Sequence, residues 1–378
     1  MRRIYLDYNA TTPLAPSVQE AMEPFLHTHY GNPSSSHWLG RAAAEGIADA
    51  RGMLAGLLGC DSEEIVFTGG GTEANNLAIK GVMLRESPTS GANIVISGFE
   101  HPAVTGPAEF LRRMGYSVTV VPVDATGIVQ PDAVAKAIKR KTRLVSIMHA
   151  NNEIGTVQPI RKIAEICHAK SILLHTDAAQ SVGKIPTLVD QLDVDLLTVA
   201  AHKFYGPKGV GALFIRDGID LEPLLHGGDQ ESGVRAGTEN TAGIAGLGRA
   251  AVLVHKALDE SAERMAFLRD DLLTRLESGI RSGLKVNGRQ AERLPNTLSV
   301  IFPNVSAREM LDRLPQLGAS TGSACHSTTG ASGTLQAIGL SPEESLGTMR
   351  LSLGWYTSQE DIETVSEWLI GAWEALAN

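Results

Sequence analysis

Short apolar segments alternate with longer helical patterns through much of this 378-residue chain, and this alternation constrains the fold more than any other feature. The segments are apolar on both faces and rich in β-branched residues, as buried strands of a mostly parallel sheet are. They span 64–68, 93–97, 117–123, 143–148, 171–175, 195–199 and 210–215. Helical patterns lie between many of them, for example at 37–58, 72–84 and 160–169. The order predicts an α/β fold with helices on both faces of the sheet.

The pattern changes near residue 250 and indicates a second, smaller unit. Region 258–280 is rich in charge and carries apolar residues at helical spacing, namely Met265, Leu268, Leu272, Leu276 and Ile280. A strand is predicted at 296–302 and a C-terminal helix from about Ser358. Ser358 and Asp361 have the spacing of a capping box that opens such a helix. We therefore predict an α+β unit after the α/β region.

Charge and composition exclude several classes of protein. The 33 Lys and Arg residues against 42 Asp and Glu give a net charge of −9, a poor match to nucleic acid or an anionic membrane. No run approaches 18 apolar residues, and the first residues do not form a signal peptide. Three cysteines, a small and odd number, do not suit a disulfide framework. We expect a soluble, cytoplasmic protein that binds neither nucleic acid directly nor a membrane.

A glycine-rich turn follows the first predicted strand of the sheet. Its sequence, TGGGT at 68–72, leads into a helix, so backbone N–H groups and the Thr72 hydroxyl are suited to an anion such as phosphate. No GK[ST] follows, which excludes a Walker loop. Taken alone, the turn is explained at least as well by a structural role.

Polar residues also follow three other strands, where ligands of open α/β sheets bind. His101 follows 93–97, Asn152 follows 143–148, and Asp177 and Gln180 follow 171–175. Each has a plain structural alternative: a hydrogen-bonded loop histidine, a turn asparagine, or a helix-capping acid.

Lys203 provides the most specific signal. It comes shortly after an apolar strand, between His202 and Phe204, where partial desolvation would lower its pKa and make it an amine nucleophile. The alternative is a surface lysine beside a Gly-Pro turn. A phosphate-binding turn, a flat histidine, an acid, an amide and a lysine together form the set that pyridoxal 5'-phosphate requires. In that set, lysine forms a Schiff base and the acid pairs with the pyridinium nitrogen.

These motifs resemble the pyridoxal-phosphate-dependent cysteine desulfurases of the NifS/IscS type, within the class V aminotransferase group of fold type I. The resemblance covers essentially the full length, through YLDYNATTPL, GNPSSSH, TGGGTEANNLAIKG, EHPAV, ANNEIGT, HTDAAQSVGK, AHKFYGPKGVGAL, RAGTEN, LPNTLS, STGSACHS and MRLSLG. It implies a mostly parallel central sheet flanked by helices. We predict a large cofactor-binding domain at 13–255, and a small α+β domain formed by 1–12 and 256–378 that carries a mobile cysteine loop.

The resemblance also implies a role for each cofactor-binding residue. Lys203 would carry pyridoxal phosphate as a Schiff base, Asp177 would hold the pyridinium nitrogen, and His101 would stack on the ring and move protons. The remaining contacts would go to the phenolic oxygen or the phosphate, from Asn152, Gln180, Gly71, Thr72, His202 and, across a homodimer, Thr238. No metal is implied.

Substrate binding and sulfur transfer are assigned in the same way. Arg350 would clamp the carboxylate of L-cysteine with its bidentate fork, and Asn9 and Asn32 would line the substrate end. Cys325 would attack the substrate sulfur as a thiolate, becoming a persulfide while alanine leaves. A Gly-, Ser- and Thr-rich setting predicts a mobile loop around it. The persulfide would then pass to an acceptor protein such as an iron–sulfur scaffold.

Some positions depart from the family pattern. Ala200 stands where many relatives have serine, so one phosphate hydrogen bond is missing or replaced. Asp229 and Ser232 replace the more usual Gly and Arg in a loop at the predicted dimer edge. The ACHS string around Cys325 also occurs in selenocysteine lyases, which keeps that activity open as the alternative. A generic aminotransferase and a non-catalytic scaffold are further alternatives, and the acceptor pathway stays open.

Overall fold

The computed structural model describes residues 2–281, 283–321 and 332–377. Its helices are α1 (Pro16–His27), α2 (Trp38–Leu58), α3 (Gly71–Met83), α4 (Pro102–Arg113), α5 (Pro131–Ala137), α6 (Ile160–His168), α7 (Val189–Leu192), α8 (Thr241–Gly279), α9 (Ala307–Asp312), α10 (Gly333–Ala337), α11 (Pro342–Leu346) and α12 (Gln359–Ala377). Its strands are β1 (Ile4–Tyr5), β2 (Ile65–Thr68), β3 (Asn93–Ser97), β4 (Ser117–Val121), β5 (Thr142–Ser146), β6 (Leu173–Asp177), β7 (Leu196–Ala200), β8 (Gly211–Ile215), β9 (Lys285–Val286), β10 (Thr297–Ile301), β11 (Leu317–Gly318), β12 (Ser320–Thr321) and β13 (Thr348–Ser352).

A seven-stranded, mostly parallel sheet forms the centre of the molecule and confirms the predicted fold class. Its strand order is β2-β8-β7-β6-β5-β3-β4. The strands β3 to β7 run parallel, and β8 is antiparallel to both of its neighbours. Every strand predicted for this sheet is present, with ends that differ by up to two residues.

Helices cover both faces of this sheet, because alternate strand residues are apolar in both directions. Val95 and Val145 point into a core shared with α2, α6 and α8. Ile94 and Leu144 point the other way, into a core shared with α3 and α4. All four side chains are fully buried. Because helices cover both faces of the sheet, a ligand can reach it only at the ends of its strands.

A smaller antiparallel sheet, ordered β12-β13-β10-β9, packs against α12 and the second half of α8. Helix α8 is continuous over 39 residues, with Val254 in the core of the large sheet and Leu268 in that of the small one. The predicted domain boundary between residues 255 and 256 therefore falls inside a helix, and the division into two domains stays a prediction. In the described part of the chain, no helix has the length and apolar character needed to cross a membrane.

The C-terminal helix begins as its sequence indicates. The Ser358 hydroxyl accepts from the Asp361 backbone N–H at 3.1 Å, and the Asp361 carboxylate accepts from the Ser358 N–H at 2.9 Å. This reciprocal pair satisfies two N–H groups that a helix leaves without partners. The capping-box prediction is confirmed.

Six strands of the large sheet, all except β8, end at the same edge. Parallel α/β sheets bind ligands at this edge. The predicted functional residues follow these strands, so the topology brings them together.

Candidate active site

A cavity of about 950 Å³ opens at the carboxyl edge of the large sheet and extends to the small sheet. It is lined by many of the predicted site residues, namely Asn9, Thr72, His101, Asn152, Gln180, Lys203 and Arg350. These residues are spread over more than 300 positions of the sequence. Their convergence makes this cavity the candidate active site.

Lys203 closes a short 3₁₀ turn, Ala201–Lys203, directly after β7. Its Nζ donates to the carbonyl oxygens of Asn9 at 2.7 Å and Ala10 at 2.9 Å. Burial, helped by the positive charge of Arg350, lowers the pKa of Lys203 to about 8. The interpretation as an ordinary surface lysine is therefore wrong, because the amine is held inside the cavity and is readily deprotonated.

Asp177 is the last residue of β6, whereas the sequence predicted that it lies just past the strand. Ser171 has a φ of 53°, so the chain is still turning there and the strand begins two residues later than predicted. The buried carboxylate accepts from Asn75 Nδ2 at 2.7 Å and from the Ala179 N–H at 3.0 Å. It does not line the cavity but lies close enough to Lys203 to counteract the lowering of that lysine's pKa.

The N-terminus of α3 faces the cavity beside the end of β7. Gly70, with a φ of 143°, makes the turn, and no side chain caps the helix that starts at Gly71. A Cβ at Gly71 would lie 3.1 Å from the Ala200 methyl group, so these two segments approach closely. The uncapped N–H groups and Thr72 suit a phosphate, and Ala200 packs closely beside them.

His101 caps the helix that follows β3. Its Nδ1 accepts a hydrogen bond from the Ala103 backbone N–H at 3.1 Å. Since Nδ1 is an acceptor, the neutral imidazole carries its proton at Nε2. The helix cap thus fixes both the position of the ring on the cavity wall and its tautomer.

His202 lies outside the cavity wall, behind Lys203. Its Nδ1 contacts Thr11 Oγ1 at 3.2 Å, and its backbone carbonyl accepts from the Thr12 N–H at 2.9 Å. Burial lowers the pKa of His202 to about 4, with the positive charge of Lys203 the next cause. A neutral His202 therefore anchors the lysine turn to the N-terminal segment.

Arg350, on β13, reaches the cavity from the small sheet. Its Nη2 donates to Asp7 Oδ1 at 2.6 Å and to Ser320 Oγ at 3.1 Å, and its Nη1 donates to the Asn152 carbonyl at 2.8 Å. Three of the five guanidinium N–H groups thus hold Arg350 in place, and its buried Nε–H has no hydrogen-bond partner among the described residues. The sequence analysis did not identify Asp7, the partner that holds Arg350.

Besides Gly71, Asp177 and His202, two more of the predicted residues, Asn32 and Thr238, are absent from the lining of the cavity. Asn32 is exposed, and its Oδ1 accepts from the Ser34 N–H at 2.9 Å. Thr238 is exposed outside the cavity. Cys325 and the loop predicted around it lie outside the described residues. The roles of Asn32, Thr238 and Cys325 stay predictions.

Glu100 is a cavity residue that the sequence analysis missed. It is only 8% exposed, and its Oε1 accepts from the Met148 N–H at 2.9 Å and from the Ser97 hydroxyl. Its Oε2 is buried without a partner among the described residues. Burial raises the pKa of Glu100 to about 8, so the carboxyl group is largely protonated at neutral pH. Its position directly before His101 was the available signal.

Glu100→Gln is expected to make stability less dependent on pH. The folded protein holds the Glu100 proton more tightly than the unfolded chain does, so its stabilisation is complete below pH 4.5 and is lost as pH rises toward 8. The loss amounts to at most about 1.4 kcal/mol per pH unit. Unfolding midpoints of cofactor-free protein are measured from about pH 5 to about pH 8.5. As the pH rises, the stability of Glu100→Gln should increase relative to that of the unmodified chain. Exposed Glu222→Gln is the control; parallel curves for Glu100→Gln would refute a protonated Glu100.

The residues present fit pyridoxal 5'-phosphate. A buried carboxylate, Asp177, suits the ring nitrogen, and an amine with a lowered pKa, Lys203, suits covalent attachment to the aldehyde. An uncapped helix N-terminus with Thr72 suits the phosphate, and His101 offers a flat ring. The described residues contain no cluster of side chains that would hold a metal ion.

Comparisons with known proteins agree with this geometry. The profile of the family Aminotransferase class-V matches residues 4–365. "Cysteine desulfurase IscS" of Dictyoglomus turgidum is 49% identical over 364 residues, covering 96% of this chain and 92% of the relative. The protein of the same name from Methanosarcina thermophila is 44% identical over 369 residues, covering 97% and 91%.

Solved structures share the same fold over nearly the whole chain. A "NifS-like protein" superimposes with a TM-score of 0.91 at 37% identity, covering 99% of both chains. A structure described as "SspA in complex with cysteine" gives a TM-score of 0.83 at 37% identity, covering 94% of this chain and 99% of the other. The likeness therefore includes the edge of the sheet that carries the cavity.

Proposed function

This chain belongs to the class-V aminotransferase family, and we propose that within it the chain is a cysteine desulfurase that uses pyridoxal 5'-phosphate. The reaction releases the sulfur of L-cysteine and forms L-alanine. The observation that carries the proposal is the shared cavity of Lys203, with its lowered pKa, and Arg350, with its spare guanidinium N–H. The first supplies an amine for the cofactor and for proton transfer; the second supplies a site for an amino-acid carboxylate.

The bound cofactor supplies an electron sink for negative charge that develops on the substrate Cα. Lys203 would hold it covalently, and Asp177 would hold its ring nitrogen. The carboxylate is supported by Asn75, whose Nδ2 lies 2.7 Å from Asp177 Oδ2. The start of α3 and Thr72 would hold the phosphate. These assignments are supported by the residue types and by the strand ends on which they lie.

Proton transfer and substrate orientation fall to the chain's own side chains. Lys203, once its amine is free, removes the Cα proton of the substrate, and a pKa of about 8 keeps this base competent near neutral pH. Arg350 binds the substrate carboxylate, and its hydrogen bonds to Asp7 and Asn152 prevent it from swinging away. His101, with its proton at Nε2, would offer its flat face to the cofactor ring.

Cys325 accepts the sulfur. Its thiolate forms a bond to the substrate sulfur while the carbon–sulfur bond breaks, and the electron pair stays on the carbon side, which is protonated to give alanine. The resulting persulfide passes its sulfur to an acceptor protein such as an iron–sulfur scaffold. The proposal is supported by the identity of the residue in the STGSACHS segment and by the relatives named cysteine desulfurase.

The protein acts in the cytoplasm as a homodimer. Thr238, exposed on its own chain, would contact the cofactor phosphate of the second subunit. A closed symmetric pair is also the commonest form of oligomer. Sedimentation of a monomer that is fully active with bound cofactor would contradict this.

Product analysis tests the activity. Purified protein should have a visible absorbance band from the cofactor, and with L-cysteine and a reductant it should form alanine and sulfide in equal amounts. L-selenocysteine is compared in parallel, because the selenocysteine lyase alternative rests on the ACHS string. Turnover of selenocysteine without turnover of cysteine would overturn the proposal in favour of that alternative. A keto-acid product would indicate an aminotransferase, and a colourless protein that binds no cofactor would indicate a scaffold.

A further inference from the structure

A second lysine is buried beside the active site. Lys184 is only 5% exposed, and its Nζ donates to the backbone carbonyl of Gln180 at 2.9 Å and to Gln180 Oε1 at 3.1 Å. On the other side of this amide, Gln180 Nε2 donates to the Asn9 carbonyl at 3.0 Å. That same carbonyl accepts from Lys203 Nζ at 2.7 Å. A continuous hydrogen-bonded chain thus joins Lys184 to Lys203.

The chemistry of these groups leaves one orientation for the Gln180 amide. A backbone carbonyl only accepts hydrogen bonds, and the protonated form of Lys184 only donates them. The end of the amide near Lys184 must therefore be the oxygen, and the end near the Asn9 carbonyl must be the NH₂ group. The contact with the Asn9 carbonyl fixes the orientation by itself, and the contact with protonated Lys184 agrees with it.

The surroundings of Lys184 are built to hold it. Lys184 and Lys203 both line an enclosed space of about 10 Å³, walled by Tyr8, Tyr205 and Trp355 among others. Burial lowers the pKa of Lys184 to about 7, helped by the positive charges of Lys203 and Arg350. A buried lysine beside two other cations is costly. Its position is best explained by the contact that it makes with Gln180.

We propose that Lys184 is a positioning residue, which fixes the Gln180 amide with its oxygen away from the cavity and its NH₂ group toward it. The inference rests on the proposed function, because Gln180 lines the cavity in which the cofactor is placed. One amide hydrogen is used by the Asn9 carbonyl. The second is left as a donor for an oxygen on the bound cofactor, and the nearby amine, Lys203, is held by the same carbonyl.

A spectroscopic titration of the cofactor-loaded protein tests this role. The pH midpoint of the visible absorbance change reports how tightly the site holds its proton. Lys184→Met removes the contact that fixes the donor, and the loss of one such hydrogen bond raises the midpoint by roughly 0.5–1 pH unit. Lys162→Met, on the exposed side of α6, should leave the midpoint unchanged. Lys184→Arg keeps hydrogen-bond donors at this position, so its pH midpoint should lie close to that of the unmodified protein.

Lys184→Met is also made in protein that carries Gln180→Ala. This comparison separates an effect through the Gln180 amide from the effect of removing a positive charge. If Lys184 acts through the amide, Lys184→Met has no further effect on the midpoint once Gln180 is replaced. An equal shift in both backgrounds, or no shift in either, overturns the proposal. Should Lys184→Met fail to fold, Lys184→Gln is used in the same scheme.

The failure of the proposed function would be recognised separately. A protein that binds the cofactor but does not release sulfur would still give the titration. If no cofactor is bound, the unfolding midpoints of Lys184→Met, Gln180→Ala and the double variant test whether Lys184 acts through Gln180. The effects of groups in direct contact are not additive. Additive changes would overturn the positioning role.

Discussion

Lys203→Ala is expected to abolish alanine formation from L-cysteine, with turnover falling by roughly 10²–10⁴-fold or more, the range for loss of an acid–base group. The amine is held by the carbonyl oxygens of Asn9 and Ala10 in the cavity, with a pKa of about 8. Lys203→Ala should also lose the cofactor on dialysis, because no covalent bond retains it. Alanine production and the visible absorbance after dialysis are the two measurements.

Lys208→Ala is the matched control, since this exposed lysine lies in the same loop. It should keep both activity and cofactor. The unfolding midpoint of Lys203→Ala shows whether the variant is folded; freeing two carbonyl oxygens next to a water-accessible cavity should cost little. A folded Lys203→Ala protein with turnover near that of the unmodified chain would remove Lys203 from the chemistry.

The strands of the large sheet could be predicted because each is a short run that is apolar on both faces. β3 has the predicted bounds, and the others shift by up to two residues. β6 shifts because Ser171 is a turn residue with a positive φ, which its apolar neighbours do not reveal. α8 was not predicted as one helix. Its first half packs into the core of the large sheet and its second half into that of the small sheet, so the amino-acid composition changes along the helix.

Site residues could be predicted from the sequence where a reactive or polar side chain comes shortly after a strand. Lys203 and His101 lie just beyond β7 and β3, and both line the cavity. Asp7, Glu100 and Lys184 were missed, because their importance comes from burial and partners rather than from a strand-end motif. Asp7 is the clearest case: its ion pair with Arg350 joins residues 343 positions apart. Such a pairing exists only after the N-terminal segment has been placed between the two sheets.

Two of the three cysteines have structures that argue against a role in sulfur transfer. Burial raises the pKa of Cys60 to about 12, with Glu64 and other carboxylates adding to the effect. Burial also raises the pKa of Cys167, on α6, to about 12. The thiolate is the attacking form of cysteine, and these two thiols stay protonated at neutral pH. Neither thiol is therefore suited to attack the substrate sulfur, which leaves Cys325 as the candidate acceptor.

Cys325→Ala is therefore expected to lose nearly all sulfur release from L-cysteine while keeping the cofactor absorbance, because the substrate still binds but its sulfur has no acceptor. Cys60→Ala and Cys167→Ala are the matched controls and should keep most of the activity. Mass spectrometry of the unmodified protein after incubation with L-cysteine should show an added mass of about 32 Da, one sulfur atom, on the peptide containing Cys325. Full activity in Cys325→Ala, or the added sulfur on Cys60 or Cys167, would show that the acceptor had been assigned wrongly. Retention of the cofactor band in the inactive variant would separate loss of the acceptor from loss of the whole site.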